Sequence, residues 1–435
     1  MAGAFRFAYN PPTVRYGLES VAHLDSELAR LDCTRALVVC GQTVGERPAV
    51  LDPVRDGLGN RCAGVFAETT PAKRLATAVA CAERMDECDA DAVVALGGGS
   101  SIDVARVAAA VAASEHPPRA LGDQLAATGT LAVPDETAPV LAVPTTLAGA
   151  SLSALAGISA SPESGLVSVP AGGGVGNEQL MPAVAVYDPV LVAETPRDVL
   201  ASSAMNGLSK GIETLYASTR SPVTDATASR GLELLAGALP VLGPDRTVDG
   251  DTAELVRDPE LQTVVQGLVL VQYGVSRPDG TTFSLLHALG HALRVHSRDS
   301  QTGTGVQLGR AHAVVAPAAL SWLFEQGEGR RDLLARALGA ETATPAAGVV
   351  ERVRELRSAL GLPARLRAVA GIDRDMLDDI ATTAADSFLG ATGAPGPAPE
   401  STPRVTAGVW RGTPHPPPEL DVSASALRSV LGTAW

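Results

Sequence analysis

The chain has 435 residues, 46 % of them hydrophobic but only 3 % aromatic, and 48 acidic against 34 basic residues give a formal net charge of −14. That length predicts two domains, and alanine, valine and leucine have to fill their cores. The balance of charge excludes a basic nucleic-acid surface, and the lack of an unbroken run of about 18 apolar residues excludes a membrane-spanning helix.

The first part alternates between strand and helix patterns. Arg35–Cys40 is short, apolar and rich in β-branched residues, as a buried parallel strand is. A short helix over Pro48–Val54 and a weaker strand over Cys62–Phe66 follow. Ala72–Glu87 has helical spacing, with Leu75, Val79, Ala82 and Met85 on one face. Ala92–Leu96 reads as a strand, Ser101–Ala113 as a helix and Val140–Val143 as a strand. Ser151–Gly176 is loop-rich and is expected to form a hairpin or an excursion. Met181–Pro189 holds a last strand that ends in a turn. This alternation predicts a parallel sheet covered by helices on both faces.

After Pro196 the periodicity becomes helical: Val199–Ala217, Ala226–Leu239, Glu260–Val275, Phe283–Val295, His312–Phe324 and Pro345–Leu360. A second, all-helical domain is expected over 196–435, after an α/β domain over 1–195. Residues 391–418, rich in proline and glycine, read as an extended surface loop, and Ser423–Ala434 as a closing helix.

The most informative stretch joins the strand at Ala92–Leu96 to Gly97-Gly98-Gly99-Ser100-Ser101-Ile102-Asp103 and then to a helix. Three glycines remove every Cβ from the turn, so backbone N–H groups can approach an anion. The helix N-terminus adds its positive dipole end, and the two serines can cap the helix or meet phosphate oxygens. A nucleotide-binding protein is predicted. Pro144-Thr145-Thr146-Leu147-Ala148-Gly149-Ala150-Ser151 is a second loop, offering hydroxyls after a strand.

The five cysteines show neither a CxxC pair nor zinc-like spacing, which fits free thiols in a reducing compartment. With no apolar signal run in Met1-Ala2-Gly3-Ala4-Phe5-Arg6, a cytoplasmic location is expected. Only Lys73 and Lys210 are lysines; the other basic residues are arginines. An acidic, lysine-poor surface suits a high-salt cytoplasm.

Taken in this order and spacing, the motifs resemble the iron-containing alcohol dehydrogenase family. Its GGGSxxD pattern matches Gly97 to Asp103, and its PTTxGTGSE pattern resembles Pro144 to Leu152, with Leu152 in place of the closing Glu. Tyr187-Asp188-Pro189 matches the family's strand end. Met205 to Glu213 resembles its DxxxHxxE helix, His287-Ala288-Leu289-Gly290-His291 its HxxxH helix, and Gly309 to Pro317 its PHGxxNAxxLP segment. The resemblance implies an N-terminal dinucleotide-binding α/β domain and a helical C-terminal domain, the architecture of dehydroquinate synthase-like proteins.

It also implies roles for individual residues. Gly97, Gly98, Gly99, Ser100, Ser101 and Asp103 would hold the pyrophosphate region of NAD or NADP, with Thr145, Thr146 and Ser151 on the nicotinamide side. Gly41 stands where the family often has an Asp that repels a 2′-phosphate, so NADP(H) is tolerated, and Thr43 can bind either cofactor. The family's metal is held by one Asp and three His. Here those positions read Asn206, Lys210, His287 and Leu308, so only one ligand survives and no standard metal site is expected. An amide is a poor ligand, an ammonium cannot ligate and leucine has no donor.

Positions 206 and 210 share a helix face. Lys210, with Asn206, is expected to stabilise a substrate oxyanion in place of the metal. His291 or His287 would supply the proton. His312 resembles the histidine of a similar His-Ala-Val-Val run in maleylacetate reductases. Should a metal bind, His287, His291 and His312 are the relocated ligands to consider. The expected activity is NAD(P)-dependent interconversion of an alcohol and an aldehyde or ketone. A maleylacetate reductase-like enzyme acting on an anionic keto acid, or a non-catalytic nucleotide binder, is the competing reading. The partner is a small alcohol or carbonyl compound, with neither nucleic acid nor membrane, and a homodimer is the one protein assembly considered.

Overall fold

The structure is a computed structural model that describes residues 7–10, 12–244, 255–256, 258–277, 280–297, 305–327, 329–340, 342–389, 420 and 422–435. The surface loop expected over 391–418 therefore lies outside the described residues. Two compact units emerge, Tyr9–Thr195 and a second from Pro196 onward that includes Phe7 and Ala8.

The first unit is α/β. Its strands are β1 (Thr13–Tyr16), β2 (Ala36–Gly41), β3 (Cys62–Thr69), β4 (Ala92–Gly97), β5 (Val140–Pro144), β6 (Leu155–Ala160), β7 (Ala171–Gly176) and β8 (Val184–Tyr187). Six of them form one parallel sheet in the order β1-β8-β5-β4-β2-β3, and β6 pairs antiparallel with β7. The helices are α1 (Leu24–Arg30), α2 (Gln42–Gly45), α3 (Pro48–Leu58), α4 (Leu75–Glu87), α5 (Gly99–Ala112), α6 (Pro118–Thr128) and α7 (Pro189–Ala193).

The strands are apolar throughout because both faces are covered. Leu37, Val39, Val93, Ala95 and Ala142 pack with α4, α5 and α6. The alternate residues Ala36, Val38, Cys40, Val94, Leu96 and Val143 pack with α1 and α3. From β2 the chain runs outward to β3, then returns to place β4 on the other side of β2. The direction of winding therefore reverses between β2 and β4, and open α/β sheets bind ligands outside the carboxyl ends of their strands at such a point. Gly41 ends β2 and Gly97 ends β4.

In this unit sequence patterning missed β1, α1, α2 and α6. The hairpin expected within Ser151–Gly176 is β6–β7. The helix read from Ala72 begins at Leu75, because the preceding residues are bonded to β6: Ser159 N–H donates to Lys73 O at 2.9 Å and Ser159 Oγ to Ala72 O at 2.6 Å. The turn expected after the last strand is a short helix, α7, capped by Asp188, which accepts from Val190 N–H at 3.0 Å.

The second unit is built from α8 (Arg197–Tyr216), α9 (Pro222–Ala238), α10 (Pro259–Gln272), α11 (Leu285–His296), α12 (Leu308–Glu325), α13 (Arg331–Leu338), α14 (Pro345–Ala359), α15 (Leu377–Leu389) and α16 (Ala424–Ala434). An antiparallel pair, Ser276–Arg277 with Gly280–Thr281, interrupts the helical pattern before α11. Helix α8 is buried almost from end to end, which makes its polar residues conspicuous. A buried polar group costs stability unless it is bonded, so each of them needs a partner or a use.

Candidate active site

In the α/β unit, Gly97 adopts φ +124°, which side-chain-bearing residues avoid. Gly98 is the N-cap of α5 and makes no side-chain cap, so the helix start is left to its backbone N–H groups. The loop after β5 lies against this turn. Thr145 N–H donates to Gly97 O at 3.0 Å. A Cβ on Gly98 would stand 3.3 Å from Thr146 Cγ2, and one on Gly99 3.5 Å from the Ala150 Cβ. A glycine-only turn, an uncapped helix of fourteen residues and a sheet switch point coincide here, and these features fit a dinucleotide pyrophosphate.

Gly41, Thr43, Gly97, Gly98, Gly99, Ser100, Thr145 and Thr146 all lie at or just beyond the carboxyl ends of β2, β4 and β5. Three other residues expected at the cofactor have side chains bonded within the protein. Ser101 Oγ and Thr69 Oγ1 are bonded at 2.8 Å in the interior. Ser151 Oγ and Tyr187 Oη are bonded at 2.7 Å, and burial pushes the Tyr187 hydroxyl up to about 12.

Asp103 is the third. Its carboxylate pairs with both Lys73 Nζ and Arg106, and it accepts from Gly157 N–H at 3.1 Å. Burial opposes its charge, but these partners win and hold its pKa below the usual aspartate range. Arg106, wholly buried, also donates to Leu155 O at 2.7 Å and to Ser153 O. Asp103 thus fastens the β6–β7 hairpin and the Lys73 turn to α5. One of the chain's two lysines is thereby assigned to structure.

The helical unit gathers the other expected residues. Asn206, Lys210 and Glu213 lie on α8 at spacings of four and three, which places them along one face. The Lys210 ammonium sits over the Phe283 ring, 5.5 Å from its centroid. Phe283 stacks on His287 at 4.2 Å, with the rings only 12° from parallel. His312 lies 4.6 Å from His287, centroid to centroid, and His291 lies 6.2 Å from it. His287 and His312 are buried, whereas His291 is partly exposed.

Glu213 is the functional candidate to which sequence reasoning gave no role. Its Oε1 accepts from Ser284 N–H at 3.1 Å and from His287 N–H at 3.0 Å, while Oε2 meets His287 Nδ1. Burial pushes its carboxyl up to about 8, against the pull of these N–H groups and of the Lys210 charge. The signal was present in the spacing, since Glu213 ends the quoted helix motif three residues after Lys210.

Burial, reinforced by Lys210, holds His287 well below the usual histidine range; His312 is lowered likewise by burial and by the neighbouring His287, His291 and Lys210. Both imidazoles are therefore neutral near pH 7. Among the described residues, His287 Nε2, both ring nitrogens of His312 and Asn206 Oδ1 are buried without a hydrogen-bond partner. Each such atom in a native interior calls for an explanation, a catalytic role or an ordered water among them.

The donor set does not fit the divalent metal that the resemblance implies. Asn206, Lys210 and Leu308 offer an amide, an ammonium and a hydrocarbon. The alternative set is not assembled either: among the described residues no three His, Cys, Asp or Glu side chains are placed to hold an ion. His287 Nδ1 is taken by Glu213, and the ring is held parallel to Phe283.

Comparison with known proteins agrees with the two halves. Residues 11–189 match the family description "Iron-containing alcohol dehydrogenase". A 4-hydroxybutyrate dehydrogenase of Cupriavidus necator is 29 % identical over 378 residues, covering 86 % of this chain and 92 % of that protein. A maleylacetate reductase of Burkholderia cepacia is 26 % identical over 377 residues, covering 86 % and 89 %. Among solved structures, a sulfoacetaldehyde reductase from Bifidobacterium kashiwanohense in complex with NAD+ superposes with a TM-score of 0.75 at 18 % identity, over 99 % of each chain. The glycine turn and the hydroxyl loop lie within the stretch that matches iron-containing alcohol dehydrogenases, and the similarity to the dehydrogenase and the reductase extends over most of the chain.

Proposed function

We propose that this protein is an NAD(P)-dependent carbonyl reductase or alcohol dehydrogenase that works without the family's metal and prefers substrates bearing a negative charge. The observation that carries the reading is the buried Lys210 ammonium among Phe283, Glu213 and His287, at the position where the resemblance implies a metal ligand. When bound, the nicotinamide exchanges a hydride with the substrate carbon.

Lys210 supplies the positive charge that a developing oxyanion needs. In a desolvated site one such hydrogen bond is worth about 10²–10³ in rate. Asn206, one helical turn away, adds an amide. The glycine turn of the α/β unit binds the pyrophosphate, and Gly41 leaves room for a 2′-phosphate, which supports NADP(H) as well as NAD(H). A fixed ammonium favours keto or hydroxy acids, and the names of both sequence relatives denote carboxylate-bearing substrates. A cytoplasmic enzyme with a small-molecule partner, assembling as a homodimer, is the corresponding cellular reading.

The test is cofactor turnover in chelator-treated buffer with a panel of aldehydes and ketones, with and without a carboxylate. Metal-independent consumption of NADH or NADPH, greater with the carboxylate-bearing members, is expected. Nucleotide binding without turnover of any member of the panel would establish a non-catalytic binder instead.

A further inference from the structure

Helix α8 places two ionisable groups three residues apart, Lys210 and Glu213, and only the first has a role in the reading above. Glu213 is fully buried, and its two oxygens do different things. Oε1 takes the backbone N–H groups of Ser284 and His287, which fixes the start of α11 against α8. Oε2 takes the ring of that same His287 at Nδ1. Phe283 stacks flat on the ring at 4.2 Å. The imidazole is thus held at its backbone, on one ring nitrogen and across one face. Its remaining functional atom, Nε2, is buried with no partner among the described residues.

Resting on the oxidoreductase reading, we propose that His287 Nε2 is the atom that exchanges a proton with the substrate oxygen, and that Glu213 is its positioning residue. In its ionised form the Glu213 carboxylate accepts Nδ1–H at Oε2, and this fixes the neutral tautomer with its lone pair on Nε2. In the oxidising direction the substrate O–H bond breaks, its proton forms the Nε2–H bond, and the hydride of the adjacent carbon leaves with the nicotinamide. The imidazolium so formed faces the Glu213 carboxylate, which stabilises it in a dry site. In the reducing direction the same bond delivers the proton to the oxygen. His291 lies 6.2 Å from His287 and is partly exposed, whereas the His287 ring is buried and fixed on three sides.

The decisive measurement is ¹⁵N NMR of histidine-labelled protein at pH 9, with the His287 signals identified by their loss in His287→Gln. Wild type is expected to show a protonated Nδ1 and an unprotonated Nε2. The opposite pattern overturns the proposal without any reference to turnover, so a failure here differs from a failure to reduce carbonyls. Glu213→Gln presents an amide N–H₂ or an oxygen to Nδ1. Where the amide nitrogen faces Nδ1, the ring proton moves to Nε2. The expected result is an inverted ¹⁵N pattern, a kcat lower by about 10²-fold or more and a cofactor KM within about threefold of wild type. Glu213→Asp is expected to restore part of kcat, and His291→Gln to retain most of it. A Glu213→Gln enzyme with kcat within about threefold of wild type, or a His291→Gln enzyme as impaired as His287→Gln, would sink the proposal. If Glu213→Gln does not fold, the wild-type spectrum decides alone.

Discussion

Two lysines in a chain of arginines have opposite fates. Lys73 is neutralised against Asp103, in a triad that Arg106 completes. Lys210 sits in the polar seam of α8, beside groups whose charge states it shifts. Lys210→Met is therefore expected to lower kcat by about 10²-fold or more while leaving nucleotide affinity unchanged, as turnover and cofactor titration would show. Asp103→Asn should leave the chemistry intact and cost about 3–5 kcal/mol in denaturant unfolding, because it strands a buried guanidinium. The sign with pH follows from the lowered pKa of Asp103: its stabilisation is present above the unfolded-state value of about 4 and is lost as pH falls through the folded value. The gap between wild type and Asp103→Asn should narrow below about pH 4; a gap that widens there contradicts the assignment.

At the scale of elements, the site depends on how closely helices approach. A Cβ on Gly290 would stand 2.5 Å from His312 Nε2, so α11 lacks a side chain where the ring of α12 lies against it. A Cβ on Gly309 would stand 1.6 Å from Ser202 O, which brings α12 onto α8. Alanine normally improves a helix interior by up to about 1 kcal/mol over glycine. Gly290→Ala should do the reverse and destabilise by about 1–3 kcal/mol, since the ring has to move within a packed core; calorimetry decides the sign. These close approaches were not legible in the sequence. The sequence assigns neither Gly290 nor Gly309 a role, and only the crossing of α11, α12 and α8 gives each one a function. Glu213 is a similar case, its partner lying on a helix more than seventy residues later. By contrast, the strand–glycine–helix turn could be read directly, because strand, turn and helix start are contiguous in the chain.

For the whole molecule, the net charge of −14 on a lysine-poor chain implies self-repulsion that salt relieves. The melting temperature is expected to rise between about 0.1 and 1 M KCl, where the Debye length falls from about 10 to 3 Å; a flat or falling response would remove the high-salt reading. Buried neutral histidines act in the acid range. The folded pKa of His312 lies below its unfolded value of about 6.5, so the unfolded chain binds the extra proton first and stability falls as pH drops below that value. Relative to His312→Gln, wild type should lose about 2 kcal/mol between pH 6.5 and 5, measurable by urea unfolding at each pH. No helix among the described residues is long and apolar enough to cross a membrane.

The sequence by itself determined the α/β sheet and its glycine turn, because each depends on residue type or on neighbours within a turn or two of chain. The tertiary structure decided which polar groups are used up and which are left over. Ser101, Asp103 and Ser151 looked available as letters and are bonded to distant partners, whereas Glu213 looked incidental and orients His287. A hydrogen bond across thirty or seventy residues leaves no local trace, so the assignment of Nε2 as the working atom had to wait for the packing of α11 and α12 on α8.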